Sequence, residues 1–506
     1  MMVVAHMNAP DQATINSDRG ATATLRRAPA TTLRGVIGSF PLFLILLIAT
    51  LLLDWMILGF VLLGSGPSED AQPVSEIFFG LLLLSGISAW LTARYISSWR
   101  SVWSMIFVIP VVVAILGGVW MASAPLQALY LARDIAWDGT DIGDYRKYPQ
   151  RMISNAPPAF QFDQKLSPNL FHTIEFRQDG RLKRTSTEEF LNSTRTAAFI
   201  VIKDGSILEE SYANGYTRQS MISSFSIAKS FTSALVGVAI KEGFIGGVDD
   251  PVVMYLPELR GRGLDGVTLG NLLTMSAGVA YRHEDEQPWL FGPLPVNDDT
   301  RTTNFPDLRR LVLSVRPSGD VPGTVFEYNN FVPLLVGMIL ERATHRPVAQ
   351  YLEEKIWKPL GMEYGASWSL DSQDAGFEKM SMGLNARAID FAKLGALFLA
   401  SGRWRGEQLV PESWVLESTS PDVGNGRRWR RAAMWEKANG YYKYFWWGLR
   451  RQDGSYAYMA RGNLQQHWIY ISPRDRVVIV RFGLVDGSAD SWPEIFETIS
   501  SKLASD

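Results

Sequence analysis

The sequence predicts an α/β (α+β) fold, an antiparallel sheet flanked by helices with a helical subdomain, preceded by three transmembrane helices. Three observations carry this expectation. Residues 35–125 hold three long apolar runs separated by short polar loops. Strand-like runs stand near residue 200 and again between residues 441 and 483. Between them lie segments with apolar residues at helical spacing. Strands at both ends can share one sheet if the intervening helices cover its faces and bury its apolar side chains.

Residues 1–34 show little sustained apolar pattern and read as a mobile cytoplasmic tail. Residues 35–125 read as a membrane region with helices at about 36–63, 77–96 and 102–124. Each run is long enough to cross a hydrocarbon core of about 30 Å, and longer than the apolar part of a cleaved signal peptide. Arg19, Arg26, Arg27 and Arg34 precede the first span, the first loop carries neither Lys nor Arg, and Arg94 and Arg100 bound the second loop. The positive-inside rule then places the amino terminus inside and everything after the third span on the extracytoplasmic (periplasmic) side of a bacterial-type inner membrane. Asp54 interrupts the first span. Beside Trp55 it reads as an interfacial residue, the alternative being a functional intramembrane charge.

Residues 126–189, rich in Asp, Arg, Pro and Asn, are expected to form an irregular connector packed on the domain that follows, residues 190–506. There "TAAFIVIKDGSILEESYANG" reads as a hairpin turning at Asp204-Gly205. Buried helices are expected after Ser226, after Asn330 and across "NARAIDFAKLGALFLASG". The chain returns to strands in "YYKYFWWGLR", "SYAYMARG", "QHWIYISP" and "RVVIVRFG", and closes with an amphipathic helix from about Trp492 to Leu503.

The 506 residues carry a formal charge of −2 and no cysteine. Near-neutral charge gives no sign of the basic face of a nucleic-acid binder, and no such partner is expected; thiolate chemistry and disulfides are excluded outright. The histidines His6, His172, His283, His345 and His467 are scattered without ligand spacing, so no metal site and no cofactor is expected.

One residue looks out of place. Lys229 opens a run of Ala, Val, Leu and Ile that must be buried, and a cation there shifts its pKa or finds a partner. Ser226 precedes it by three positions, on the same helical face. Serine becomes a nucleophile when a base takes its proton, and a lysine can do so once burial brings its pKa down from about 10.4. The helix start favours negative charge on the serine oxygen. Downstream, Tyr328 and Asn330 stand in the turn before another buried helix. The phenol can exchange the serine proton, and the amide can hold the lysine and a substrate carbonyl. Alone, Ser-x-x-Lys also fits a surface lysine, and the turn also fits a half-buried tyrosine with a capping asparagine.

In their joint order, "SIAK", "VTLGNLLTMSAGV", "YNN" and "GLNARAIDFAKLG" resemble the serine β-lactamase and penicillin-binding superfamily, from about Phe190 to Gly483. The branch resembled is that of class-C-like hydrolases, with family VIII esterases and 6-aminohexanoate-dimer hydrolases. The resemblance implies a Ser-Lys-Tyr site between a sheet domain and a helical domain, acting through an acyl-enzyme. Ser226 would be nucleophile, Lys229 base or proton relay, and Tyr328 acid/base partner. At the family's Lys-Thr-Gly triplet this chain reads Ala460-Arg461-Gly462, without the lysine and hydroxyl that help bind a β-lactam carboxylate. Strand alternation can turn Arg461 away from the pocket. Gly462 to Gln466 instead resembles the amide-hydrolase and esterase branch, and the N–H groups of Ser226 and Asn463 would form an oxyanion hole. The expectation is a membrane-anchored serine hydrolase cleaving small amides or esters, with the lipid bilayer as its other partner.

Three alternatives stay open. A penicillin-binding-like peptidase or β-lactamase shares the motifs. A non-catalytic, membrane-tethered ligand sensor could keep the fold. A Ser-His-Asp hydrolase would need His467 in the site, and no Gly-x-Ser-x-Gly elbow occurs. The loop "YRHEDEQPWLFGP", Tyr281 to Pro293, reads as solvated, the alternative being a wall selecting amine-bearing substrates.

Overall fold

The computed structural model describes Tyr130, Arg133 and residues 140–505, except 168–171, 284–296, 374–375, 423–425, 433–434, 437, 463–465 and 485–488. The expected tail, the three spans, Asp54, Asn463 and most of the 281–293 loop lie outside the described residues. Among the described residues no helix is long and apolar enough to cross a membrane.

Eight strands form the main sheet: β1 (Asp163–Gln164), β2 (Thr196–Lys203), β3 (Ser206–Tyr212), β4 (Gly440–Lys443), β5 (Trp446–Arg450), β6 (Tyr456–Gly462), β7 (His467–Ser472) and β8 (Val477–Gly483). Their order is β4-β5-β6-β7-β8-β2-β3-β1. All neighbours are antiparallel except β1 with β3 at one edge. The pairing of β8 with β2, Val480 opposite Ile200, stitches the carboxyl-terminal strands to the amino-terminal hairpin. β2 is apolar on both faces because the sheet is covered on both faces, as its buried run from Thr196 to Ile202 shows.

Four helices matter for the site: α1 (Ile227–Lys241), α2 (Phe331–Thr344), α3 (Ala388–Leu399) and α4 (Trp492–Ser505). α3 lies against β7 and β8, where Gly395 lets the helix approach: a Cβ there would stand 2.6 Å from Val478. On the opposite face Trp468 and Tyr470 meet Phe496 of α4. α1 is buried nearly throughout, packed by Phe231 against Phe391 and Trp357.

Two hairpins add to the expected elements. Thr173–Gln178 pairs with Arg181–Ser186 inside the supposed connector, turning at Asp179-Gly180 with both residues at positive φ. That Asp-Gly pair is the same hairpin signal that marks Asp204-Gly205, but the strand Arg181–Ser186 is too polar to show alternation. "YYKYFWWGLR" is two strands around Tyr444-Phe445, both left-handed. No Asn or Gly announces this turn. It is held from outside: the Phe445 N–H donates to Leu273 O at 3.0 Å, and Ser230 Oγ donates to Phe445 O at 2.9 Å.

Candidate active site

The site starts from a bent backbone. Ile222–Ser223 pairs with Leu384–Ala386, and the Ser224 N–H donates to Leu384 O at 2.8 Å. Phe225 then takes φ 49°, a left-handed conformation uncommon for a bulky residue, which lifts Ser226 to the mouth of α1. Buried Phe225 pays into this bend by packing edge-on against His467, ring centroids 5.5 Å apart. Ser226 is half-buried and reachable, whereas Lys229, one turn on, is 1 % exposed.

Lys229 Nζ has three polar neighbours. Ser226 Oγ is 2.7 Å away, Asn330 Oδ1 3.0 Å and Ser381 O 2.8 Å. Burial holds the amine well below its ordinary pKa, with Asp299 acting the other way. The amine donates to all three, the Ser226 hydroxyl and two carbonyl oxygens, so its position is fixed from three sides. Ser226 and Lys229, expected on one helical face, are thus joined by a hydrogen bond.

Tyr328 completes the cluster from the other side. Its hydroxyl lies close enough to Ser226 for the serine to lower its pKa, and its ring lies 4.9 Å from Lys229 Nζ. Trp447 and Tyr442 wall it, at 5.6 and 6.0 Å between centroids. Burial raises the phenol to about 12, against the lowering effects of Ser226 and Arg461, so it is protonated near neutral pH. The adjacent asparagines divide their roles. Asn329 caps α2, accepting from the Phe331 N–H at 2.8 Å and donating to Val279 O at 3.1 Å, which leaves Asn330 free to meet Lys229.

β6 closes the site where it ends. A Cβ on Gly462 would stand 2.6 Å from Ser224 O and 3.0 Å from Ser226 N. Glycine here lets the strand lie against the serine turn and keeps the space over the Ser226 N–H open. Ala460 is fully buried. Arg461 shares a sheet face with its cross-strand partner Trp468, as alternation requires. That face also carries Trp447, so the guanidinium lies 4.9 Å from the Trp447 ring and within electrostatic reach of Tyr328; the expectation that alternation turns Arg461 away from the pocket is not met.

Gln466 is not gathered with these residues. It is buried, and its Oε1 accepts from Arg481 at 2.7 Å, a guanidinium that also binds Gln466 O and Thr194 O. His467 is turned to Gly483 O, 3.2 Å from Nε2, and burial beside Arg481 lowers its pKa to about 3. A ring so weakly basic is a poor proton acceptor at neutral pH.

Two groups near Lys229 escaped the sequence. The Ser381 acceptor is a backbone carbonyl, for which no side-chain pattern exists. Asp299 sits in "NDDT", where the cap Asn297 and two acids read as an ordinary helix start. It accepts from Tyr281 OH at 2.8 Å and lies 3.5 Å from His283 Nδ1. Among the described residues no group of His, Cys, Asp and Glu could hold a metal ion.

A serine and a buried lysine at the start of one helix thus meet a phenol from the turn before another, below the end of a sheet strand. The chain belongs to the Beta-lactamase family, which it matches over residues 185–493, more than half its length. Its relatives there include the 6-aminohexanoate-dimer hydrolase of Paenarthrobacter ureafaciens, 26% identical over 315 residues, or 61% of this chain and 75% of that one. Esterase EstB of Burkholderia gladioli is 32% identical over 143 residues, 26% of this chain and 36% of the relative. A solved structure of a candidate 6-aminohexanoate-dimer hydrolase from Bacillus anthracis superposes with a TM-score of 0.59 at 25% identity, covering 73% of this chain and 93% of that one.

Proposed function

We propose that the protein is a serine hydrolase that cleaves small amides or esters through an acyl-enzyme on Ser226. The observation that carries this reading is the position of the buried Lys229 amine, 2.7 Å from the Ser226 hydroxyl and held there by Asn330 Oδ1 and Ser381 O. In this mechanism Ser226 Oγ attacks the substrate carbonyl carbon while its proton passes to Lys229 Nζ. The protonated phenol of Tyr328 gives its proton to the leaving nitrogen or oxygen as that bond breaks, and recovers one from Lys229. Water then attacks the acyl-serine, losing its proton to the same pair, and the acid departs with Ser226 restored.

The oxyanion formed in both steps needs donors placed before the reaction. The Ser226 N–H, kept open by Gly462, supplies one, and the Asn463 N–H is the proposed second. Asn330 serves to hold the lysine and meet the substrate, and Gln466 supports the strand end from behind through Arg481. Ala460 offers no cation for a β-lactam carboxylate, which favours simple amides and esters over β-lactams. The apolar segment 35–125 anchors the hydrolase in a membrane, with the amino terminus cytoplasmic and the Ser226 domain extracytoplasmic.

The test is to treat membranes holding the full chain with a fluorescent fluorophosphonate. Labelling of the wild type and none of Ser226→Ala is the expected result. Equal labelling of both, or of neither, refutes the reading and favours a ligand sensor on the same fold.

A further inference from the structure

Lys379 is a second fully buried lysine, and the chemistry above makes no use of it. Its side chain donates to the carbonyl of Thr303, at the end of the helix Asp298–Asn304. Its Nζ also lies 4.1 Å from the ring centroid of Tyr148. The backbone of Lys379 begins the tight turn that leads to Ser381: its carbonyl accepts from the N–H groups of Met382 at 3.0 Å and Gly383 at 2.7 Å, and from Trp368 Nε1 at 3.2 Å.

The two segments joined by this one side chain both act on Lys229. The turn supplies Ser381 O, 2.8 Å from Lys229 Nζ. The helix supplies Asp299, the carboxylate whose field opposes the burial of Lys229. A second link runs beside the first, from Thr303 Oγ1 to Met382 Sδ at 3.8 Å. The same end of the helix is gripped by Arg133, which donates to Asn304 O at 3.3 Å and to Asp371 O at 2.6 Å. Tyr148 OH donates to Asn304 Oδ1 at 3.2 Å.

We propose that Lys379 is a positioning residue for the Ser226–Lys229 pair: it clamps the Ser381 turn to the Asp299 helix, so that the acceptor and the carboxylate facing Lys229 keep a fixed separation. This rests on the proposed hydrolase chemistry. The charged and titratable groups that face Lys379 are Asp371, Asp144, Arg133 and Tyr148. Desolvation outweighs them and brings the amine down to about 7. A lysine held at that cost in a sealed position is more than a filler, since an apolar side chain of equal length would pack there without it.

The experiment uses Lys379→Met, which keeps the chain length and removes the donor, beside Asp299→Asn, which keeps the bond from Tyr281 and removes the charge. Rates of fluorophosphonate labelling and of ester hydrolysis by the full-length protein are followed against pH, with thermal melting alongside. Lys379→Met should lower kcat and the labelling rate on the order of 10- to 100-fold, the scale of a misplacement near 1 Å. KM should stay within about threefold of wild type by the same reasoning. The acid limb of the rate profile should move to lower pH in Asp299→Asn, because Lys229 loses the charge that raises its pKa, and in the same direction by a smaller step in Lys379→Met, where the carboxylate is no longer held in place. A rate lowered equally at every pH, in step with a lowered melting temperature, would reduce Lys379 to a structural role. Wild-type rates in a stable Lys379→Met would overturn the clamp. Failure of the wild type itself to label at Ser226 would strike the hydrolase reading instead.

Discussion

Gly462→Ala puts one methyl group where the serine turn and β6 meet. The added carbon would stand 2.6 Å from Ser224 O, about 0.7 Å inside the distance of about 3.3 Å at which carbon and carbonyl oxygen meet in sheets. Neither contact is the end of a flexible side chain. Ser224 O and Ser226 N are backbone, and the Ser224 N–H is tied to Leu384, so strand and turn must separate. The same carbon would stand 3.0 Å from Ser226 N and cover the proposed oxyanion donor. Removal of one such donor costs about 10²–10³ in kcat. Overpacking a closed contact costs about 1–3 kcal/mol of stability. Gly462→Ala should therefore lower kcat for p-nitrophenyl acetate at least about 100-fold, with KM little changed and the melting temperature down by several degrees. Gly247→Ala is the control, since nothing lies within 4 Å of a Cβ there. Steady-state kinetics and melting of the detergent-solubilised chain read both effects. Turnover within threefold of wild type would show that the Ser226 N–H is not where negative charge develops.

Tyr328→Phe keeps the packing against Trp447 and Tyr442 and removes only the proton, so kcat should fall about 10²–10⁴-fold with KM held; unchanged turnover removes the phenol from the mechanism. His467 gives a pH prediction of a different kind. The unfolded imidazole takes up a proton below about pH 6.5 while the folded one waits until about 3. Across that window the unfolded state binds more protons, so stability falls as pH falls, by about 1.4 kcal/mol per unit from this group. Denaturant titrations from pH 7 to pH 4 should show the slope, and His467→Phe should flatten it while retaining ester turnover. A steep slope that survives the substitution assigns it elsewhere, and loss of turnover in a folded variant would reopen the histidine as a base.

Much of the domain was legible because its signals are local. The apolar run of β8, the helical spacing of α2 and α3 and the Asp204-Gly205 turn each state a preference that the packed domain keeps. The Asp179-Gly180 hairpin was equally local, but its polar second strand hid it. Tyr444-Phe445 was not legible at all. Neither residue favours positive φ, and the turn exists because Leu273 and Ser230, distant in sequence, bind its backbone.

The amino-acid order by itself determined that a serine and a lysine share a helical face at the start of a buried helix, and that a phenol and two amides precede another. Helical periodicity alone brings the first two together, because residues three apart cannot avoid each other. Only the tertiary structure decided that Asn329 turns to the start of α2, that the Ser381 carbonyl accepts from Lys229, and that Gln466 turns to Arg481. It also decided that Arg461, on the sheet face it shares with Trp447, stands within electrostatic reach of Tyr328. Those outcomes depend on burial and on unlike segments meeting at about 3 Å, and hydrogen bonds of that length are set by the whole packed chain rather than by spacing along it.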